Sequence, residues 1–222
     1  MRIRLDHVTH TYAGSDEAAA VQVLNDVSLD ISSGDFAVLR GASGSGKSTI
    51  LNLIGAVDRP TSGRVFLGDV ETSALDESRL TMLRRASIGF VFQQFNLIPT
   101  LTVFENVAFP LSLAKATDLK PRVEAMLERI ALAHRAKHYP SELSGGEMQR
   151  VAIGRAVIHK PPLIIADEPT GNLDSKNGAS VLELIRAIHG EEKPTIVMAT
   201  HSDAAAAFGD YTISVADGNA WR

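Results

Sequence analysis

Residues 36–49 read FAVLRGASGSGKST, a short apolar run that leads directly into a loop of glycine and serine. The residues that follow, 49–56, have a composition typical of a helix. A strand, a glycine-rich loop and a helix in this order are typical of the start of an α/β nucleotide-binding domain. We therefore predict a strand over residues 36–39, with its loop and helix directly after it.

The loop matches the pattern G-x-x-x-x-G-K-[ST], whose glycines allow several backbone N–H groups to face phosphate oxygens. The N-terminus of the next helix adds a favourable dipole. Lys47 would supply a cation to the β- and γ-phosphates of a nucleotide, and Ser48 a hydroxyl to Mg²⁺. The alternative, a flexible turn, is disfavoured by the strand and the helix on either side. The predicted nucleotide-binding residues of the loop are Gly41, Ala42, Ser43, Gly44, Ser45, Gly46, Lys47, Ser48 and Thr49.

The composition restricts the classes of function that the chain could have. Its 222 residues carry a formal net charge of -4 and are 45% apolar, which is ordinary for a globular protein and does not favour a nucleic-acid-binding surface. The absence of cysteine excludes a disulfide, a thiol nucleophile and a cysteine–zinc site. No window approaches the run of roughly 18 apolar residues that a membrane helix needs, so we expect that the chain does not span a bilayer itself. Residues 1–6 carry charges instead of a long apolar core, so we expect no signal peptide there.

Two later apolar runs, residues 163–166 and 195–199, predict strands that are buried on both faces of a parallel sheet. Residues 181–188, between them, have one apolar helical face. Together these segments predict a βαβ unit.

The remaining segments divide into strands near the two ends of the chain and helices in the middle. Residues 23–31 alternate as half-buried strands do, and residues 211–215 form the predicted final strand, closed by a turn at residues 217–218. From about residue 95 to residue 158 helical periodicity replaces the strand pattern, which predicts a helical subdomain inserted into the core. Residues 16–21 are alanine-rich and predict a loose insertion.

Two carboxylates, Asp167 and Glu168, follow the predicted strand over residues 163–166. Asp167 is suited to hold Mg²⁺ through its water shell, and Glu168 is suited to act as a general base on an attacking water. Such a base typically contributes about 10²–10⁴-fold in rate. The pair alone would also fit a solvated acidic turn, but the phosphate-binding loop upstream favours the catalytic interpretation.

Three more side chains are candidates for the same site. His201 follows the strand at residues 195–199, and the carboxyl ends of parallel strands meet at one edge of a sheet. It could therefore contact the γ-phosphate and hold the base and the water in line. Gln93, after the apolar residues 88–92, can reach Mg²⁺ or the attacking water. Tyr12 either stacks on adenine or is an ordinary core tyrosine.

Residues 143–150 read LSGGEMQR and contain a second predicted anion site. Ser144 and Glu147 form a capping-box pattern, so one interpretation is simply a good helix start. Gly145 and Gly146, at the first two helical positions, are poor helix formers and each costs roughly 1 kcal/mol relative to alanine. Exposed N–H groups at such glycines let an anion approach closely. Ser144, Gly145 and Gly146 are therefore candidate phosphate ligands, far in sequence from the first loop.

With these motifs the chain resembles the ATP-binding subunits of ABC transporters over essentially its full length. The motifs occur in the family's order: a Walker A loop at residues 41–49, the Q-loop Gln93, the signature at residues 143–146, Walker B at residues 163–167 followed by Glu168, a D-loop at residues 171–174 and the H-loop His201. The resemblance implies a P-loop NTPase fold of the α/β class, with a mostly parallel sheet core, an antiparallel β subdomain and an inserted α-helical subdomain. It implies one domain over residues 1–222, with the core at about 1–92 and 159–222 and the helical subdomain at about 93–158.

The resemblance also implies an ATPase that uses ATP and Mg²⁺ and works as a head-to-tail homodimer. The catalytic residues would be Lys47, Gln93, Glu168 and His201, and the metal would be held by Ser48, Gln93 and Asp167. Adenine would stack on Tyr12, and Ser144, Gly145 and Gly146 would contact the γ-phosphate that the other copy binds. Such a dimer would drive a separate integral membrane permease from the cytoplasmic face of the inner or plasma membrane.

Three segments narrow the resemblance, namely residues 58–63, 92–107 and 167–175. They look like the subfamily of the lipoprotein-releasing ATPase LolD, the macrolide exporter MacB and the division protein FtsE. Amino-acid importer ATPases share the second segment but usually have Ser-Ala-Leu-Asp where this chain has GNLD at residues 171–174. By analogy, residues 95–109 form the groove that receives a coupling helix of the permease, or else they pack the core of the subdomain.

Other classes of protein are kept as alternatives. A soluble ABC ATPase without a permease, such as an iron–sulfur assembly scaffold, would have no membrane partner, and an amino-acid importer ATPase would have a different one. A P-loop kinase outside the family would lack the signature at residues 143–146. The chain also departs from the family at residues 201–203, which read His-Ser-Asp where His-Asp is common, so the role of that aspartate is open.

Overall fold

The computed structural model describes residues 1–14 and 20–222. Its strands are β1 (Ile3–Tyr12), β2 (Val21–Ile31), β3 (Phe36–Arg40), β4 (Ser62–Leu67), β5 (Val70–Glu71), β6 (Ile88–Phe92), β7 (Leu163–Asp167), β8 (Thr195–Thr200), β9 (Tyr211–Ala216) and β10 (Asn219–Trp221). Its α-helices are α1 (Lys47–Ile54), α2 (Glu77–Ser87), α3 (Val103–Leu113), α4 (Leu119–Arg129), α5 (Gly145–Val157), α6 (Ser175–Glu192) and α7 (Asp203–Ala206).

The larger sheet has the strand order β10-β9-β3-β8-β7-β6, and its pairs are parallel except for the hairpin of β9 and β10. Alternate side chains of β3 face opposite ways: Ala37 and Leu39 pack in the cluster that contains α1, and Phe36 and Val38 pack in the cluster that contains α6. Because both faces are covered, the central strands are apolar throughout, as parallel strands usually are. The predictions of strands at residues 36–39, 163–166 and 195–199 are confirmed.

A second, antiparallel sheet has the order β2-β1-β4-β5 and packs its apolar face on the same side as α1. The predicted strand at residues 23–31 is confirmed as most of β2. Of the alanine-rich segment at residues 16–21, residues 16–19 lie outside the described residues, and Val21 begins β2.

The inserted helices α3, α4 and α5 form a separate apolar cluster, so the predicted helical subdomain is confirmed. Val107 of α3, Val123 and Leu127 of α4, and Val151 of α5 are buried in it. Two of its helices begin with a capping box, α3 at Thr102 and α5 at Ser144. With the two sheets, this subdomain confirms the predicted P-loop ATPase architecture.

One prediction about local structure is corrected. The strand over residues 211–215 is not the last one, because the turn at Asp217 and Gly218 brings residues 219–221 back onto β9 as β10. Within residues 95–109, Val107 and Ala108 pack the subdomain core, whereas Phe109 is 38% exposed. Within residues 1–14 and 20–222, no helix is both long and apolar enough to cross a bilayer.

Candidate functional site

Two of the three glycines in the loop between β3 and α1, Gly41 and Gly46, cannot be replaced without a close contact. Gly46, which precedes α1, has φ 108°, and a Cβ there would lie 2.9 Å from Leu24 Cδ2. A Cβ on Gly41 would lie 2.1 Å from the carbonyl oxygen of Val215. The loop is therefore fixed between β2 and β9, with the N-terminus of α1 directly beneath it.

Lys47 is a buried cation at the first position of α1, with 5% of its surface exposed. Its Nζ donates to the carbonyl oxygens of Gly41, at 2.9 Å, and Ala42, at 2.8 Å. An ammonium group has three hydrogens to donate, and these two bonds use two of them. None of the ion pairs among residues 1–14 and 20–222 includes Lys47, so its charge and third hydrogen suit an anion such as phosphate.

Ser48 and Asp167 come together where α1 begins and β7 ends. Burial raises the pKa of Asp167, and the hydrogen bond from Ser48 and the positive charge of Lys47 oppose that rise. The negative charge of the neighbouring Glu168 raises the pKa further. A half-buried carboxylate beside a hydroxyl offers the hard oxygen ligands that Mg²⁺ prefers, and a divalent cation would offset the cost of burying the charge. These two residues therefore fit the predicted metal.

Glu168 and His201 meet at the same edge of the sheet, as the strand order predicts. The backbone N–H of Glu168 donates to the carbonyl of Ala199 at 3.0 Å, and the residue has φ 44°, which turns its side chain out of the strand. Its carboxylate Oε1 lies 3.0 Å from Nδ1 of His201. The pair borders a cavity of about 310 Å³.

Gln93 makes its contacts with the loop after β7 rather than with the Ser48–Asp167 pair. Its Nε2 donates to Asn172 Oδ1 at 3.4 Å, and Nδ2 of Asn172 donates to the Gln93 carbonyl at 3.0 Å. A Cβ on Gly171 would lie 2.6 Å from Gln93 Nε2, so glycine permits this approach. The sequence analysis did not identify Asn172 as a site residue, although its amide distinguishes it from the alanine of the importer motif.

Tyr12 stands beside α1 with 41% of its surface exposed. Its hydroxyl lies 3.4 Å from Oγ1 of Thr49, and its ring packs edge-on against His10, with centroids 4.5 Å apart and planes at 81°. The exposed ring face next to the phosphate-binding helix favours adenine stacking over the alternative of an ordinary core tyrosine.

The second anion site begins α5, on the helical subdomain. Ser144 is exposed, whereas Gly146 is buried, and a Cβ on Gly146 would lie 2.6 Å from Oδ1 of Asn177. Gly146 is therefore required for close packing against α6, a role that the sequence analysis did not foresee. No hydrogen bond or ion pair joins residues 144–146 to residues 41–49 in the part of the chain that the structure describes. The two candidate phosphate-binding segments thus belong to different parts of one chain, residues 41–49 to the core and residues 144–146 to the helical subdomain.

At the departure in residues 201–203 the aspartate forms an exposed ion pair. Ser202 caps α7, and Asp203 pairs with Arg40, the last residue of β3. The aspartate is thus turned toward the base of the phosphate-binding loop instead of following His201 directly. The sequence analysis did not predict this contact.

An open groove of about 370 Å³ lies between the core and the helical subdomain. Its lining residues are Arg84, Arg85, Ile88, Gly89, Phe90, Phe92, Asn96, Ile98, Phe109, Pro110, Leu113, Arg155, Ala156 and His159. The lining is apolar with basic side chains and contains no carboxylate. Arg155, on α5, also donates to the carbonyls of Phe95 and Asn96, so the groove touches both the loop of Gln93 and the helix that Ser144 begins.

Comparison with known proteins places these features in a wider group. A family model described as ABC transporter matches residues 24–171. The uncharacterized ABC transporter ATP-binding protein MJ0796 of Methanocaldococcus jannaschii is 45% identical in an alignment that covers 99% of this chain and 95% of that protein. The macrolide export ATP-binding/permease protein MacB of Brucella melitensis is 44% identical over 97% of this chain but only 33% of its own length. A dimeric structure of MJ0796 in a post-hydrolysis state, bound to ADP and Pi, has a TM-score of 0.90 at 43% identity, covering 99% of this chain and 97% of that one.

Proposed function

The chain belongs to the ABC transporter family as a subunit that binds and hydrolyses ATP, and from that premise we propose that two copies close head to tail around two ATP molecules. Each ATP lies between residues 41–49 of one copy and residues 144–146 of the other. The observation that carries this proposal is the separation of two phosphate-suited surfaces on one chain, with no bond between them among the described residues. The dimeric arrangement of the solved relative supports it.

Within each site the residues divide the chemistry of hydrolysis. Tyr12 stacks on the adenine, and Lys47 and the N–H groups of the loop hold the β- and γ-phosphates. Ser48 and Asp167, joined by Gln93, would hold Mg²⁺, which would neutralise charge on the phosphates. The cost of a buried carboxylate at Asp167, seen in its raised pKa, supports that assignment.

The attacking water is activated by Glu168 and His201. Glu168 accepts a proton from the water, and His201 orients the carboxylate through the 3.0 Å contact between Nδ1 and Oε1. Ser144 of the other copy donates to the γ-phosphate and completes the site. Hydrolysis separates that phosphate from the nucleotide and so removes the charge that joins the two copies, which gives the protein two states, closed with ATP and open after hydrolysis.

A membrane permease docks in the groove at Phe109 and Arg155 and is coupled there to the closed and open states. Its apolar floor and basic side chains suit an amphipathic helix with an acidic residue, presented by an integral membrane protein. Arg155 transmits movement from the groove to the loop of Gln93 and to α5. This docking holds the chain at the cytoplasmic face of the membrane. The likeness to MacB, whose name joins an ATP-binding part to a permease, supports an export-type partner over an importer or a scaffold without a permease.

The Glu168→Gln variant tests the proposal. It keeps the shape of the side chain but removes the base, so it should bind ATP with normal affinity and accumulate as a dimer with ATP and Mg²⁺. Size exclusion with light scattering measures the mass of the complex. A variant that binds ATP but stays monomeric at every accessible concentration would contradict the head-to-tail arrangement.

A further inference from the structure

Ser144 has its hydroxyl hydrogen bonded to a carboxylate of its own helix. Its Oγ donates to Glu147 Oε2 at 2.7 Å, and its backbone N–H donates to the same oxygen at 2.8 Å. The backbone N–H of Glu147 donates back to Ser144 Oγ at 3.3 Å, which completes the capping box. Glu147 therefore holds the hydrogen that Ser144 would offer to a phosphate oxygen.

The start of α3 provides a comparison within the same subdomain. There the backbone N–H and the hydroxyl of Thr102 both donate to Glu105 Oε2 at 2.8 Å, in the same geometry. Glu105 has no cation within ion-pair distance in the described parts of the chain, whereas Arg135 Nε lies 3.3 Å from Glu147 Oε1. Since the cap at α3 forms without an arginine, capping alone does not require Arg135.

Arg135 places a positive charge beside the negative charge of Glu147. Hydrogen bonds from the backbone N–H and the hydroxyl of Ser144, aided by Arg135, lower the pKa of Glu147, so the group is ionised at neutral pH. A γ-phosphate that approaches Ser144 then meets a like charge a few Å away, and such charges repel appreciably even in water.

We propose that Glu147 is a positioning residue that restrains closure of the ATP dimer: its carboxylate retains the Ser144 hydroxyl until the γ-phosphate of the other copy displaces it, and Arg135 reduces the repulsion. This inference rests on the proposed function, because Ser144 meets a phosphate only when two copies pack head to tail. If Glu147 only capped α5, it would stabilise the phosphate-binding surface. The proposal instead gives its charge a role that opposes dimer closure.

The test uses Glu168→Gln as the background, so that ATP is bound but not consumed. Glu147→Gln keeps an oxygen that accepts from the Ser144 N–H but removes the charge. We expect the dissociation constant of the ATP-loaded dimer to fall roughly tenfold at low salt, since each dimer contains two such sites. The difference should shrink at about 1 M salt, where the Debye length is about 3 Å. Analytical ultracentrifugation with ATP and Mg²⁺ measures both constants.

Two further variants separate charge from helix capping. Glu105→Gln makes the same change in the matching cap of α3 and should leave the dimer constant unchanged. Arg135→Gln should weaken the dimer severalfold when Glu147 is present and should have little effect when Glu147 is glutamine, which a double-mutant cycle detects. Thermal unfolding and ATP binding by the monomer are measured for each variant, to confirm that folding and the Walker A loop are intact.

The inference is overturned if Glu147→Gln dimerises with equal or lower affinity, or if Glu105→Gln tightens the dimer as much. Failure of the proposed function would look different, because the Glu168→Gln background alone would then fail to dimerise with ATP.

Discussion

Gln93 and Asn172 exchange two hydrogen bonds, at 3.4 Å and 3.0 Å, that join the loop after β6 to the loop after β7. The side-chain amide of Gln93 is thereby held by the D-loop, although its proposed role is to reach Mg²⁺ beside Asp167. The first bond is donated by Nε2, whereas Oε1 is the oxygen that would bind Mg²⁺. This bond restrains the direction of the amide, so we expect the D-loop to oppose a turn of Gln93 toward Asp167.

Asn172→Ala should release Gln93. A hydrogen bond of this kind contributes about 1 kcal/mol net, so we expect the Mg²⁺ concentration for half-maximal ATP binding to fall about fivefold. A Mg²⁺ titration of ATP binding to the monomer measures this concentration. In the Gln93→Ala background the same substitution should have no effect on it. An unchanged or higher Mg²⁺ requirement in Asn172→Ala alone would show that the bond does not restrain Gln93.

Asp167→Asn should stabilise the nucleotide-free protein in a pH-dependent way. Burial raises the pKa of Asp167, so the folded chain binds this proton more tightly than the unfolded chain does. Its contribution to stability is therefore lost as the pH rises from the ordinary aspartate value, about 4, through the raised folded pKa. We expect the substitution to raise Tm by about 2 °C at pH 8 and by less at pH 4. The increase at pH 8 is small because the Asp167 carboxylate is partly exposed and solvent screens its charge.

Thermal unfolding at the two pH values measures this effect, and the stabilisation by ATP with Mg²⁺ should be smaller in the same variant. A Tm at pH 8 equal to that of the parent chain would mean that the buried charge of Asp167 is already compensated within the protein.

Ser144→Arg should stop turnover without weakening ATP binding by the monomer, because the arginine fills the space for the partner's phosphate and not the Walker A loop. Thr102→Arg is the matched control, since it removes the corresponding cap of α3. Each loses about 1 kcal/mol of helix capping, so both should unfold at a similar temperature. Steady-state ATPase assays should then find only the Thr102 variant active. Loss of monomer binding in Ser144→Arg would place both anion sites within one chain.

Phe109→Asp should detach the chain from its membrane partner. Phe109 is 38% exposed in the groove, and an acidic group there removes apolar contact and repels an acidic docking helix. Val70→Asp is a fair comparison because Val70 is 41% exposed and lies on β5, away from the groove. Co-sedimentation with membranes from the source cells should be lost only for Phe109→Asp, while both variants hydrolyse ATP in isolation. Equal retention of both would show that another surface meets the permease.

The features that could be predicted from the sequence are those that depend on residues close together along the chain. The Walker A loop, the strand before it and the cap at Ser144 each depend on neighbours along the chain, and they were recognised from spacing alone. The position of His201 followed from one topological rule, that parallel strands end at the same edge of a sheet.

Contacts between distant segments were not predictable in this way. The bonds of Gln93 with Asn172, the ion pair of Arg40 with Asp203 and the packing of Gly146 all join residues far apart in sequence. Each depends on side-chain placement that tertiary packing decides. The short strand β10 could not be predicted, because three residues after a turn carry too little periodicity to identify a strand.

Cross-linking tests most directly whether two copies contribute to each ATP site. Because the chain contains no cysteine, each introduced cysteine is the only thiol in its variant. One preparation carries Ala42→Cys in the Walker A loop and a second carries Ser144→Cys, both in the Glu168→Gln background. When the two are mixed with ATP, Mg²⁺ and a short bifunctional thiol reagent, we expect a covalent heterodimer that does not form without ATP or from either preparation alone. A mixture that yields no heterodimer although both proteins bind ATP would contradict the arrangement.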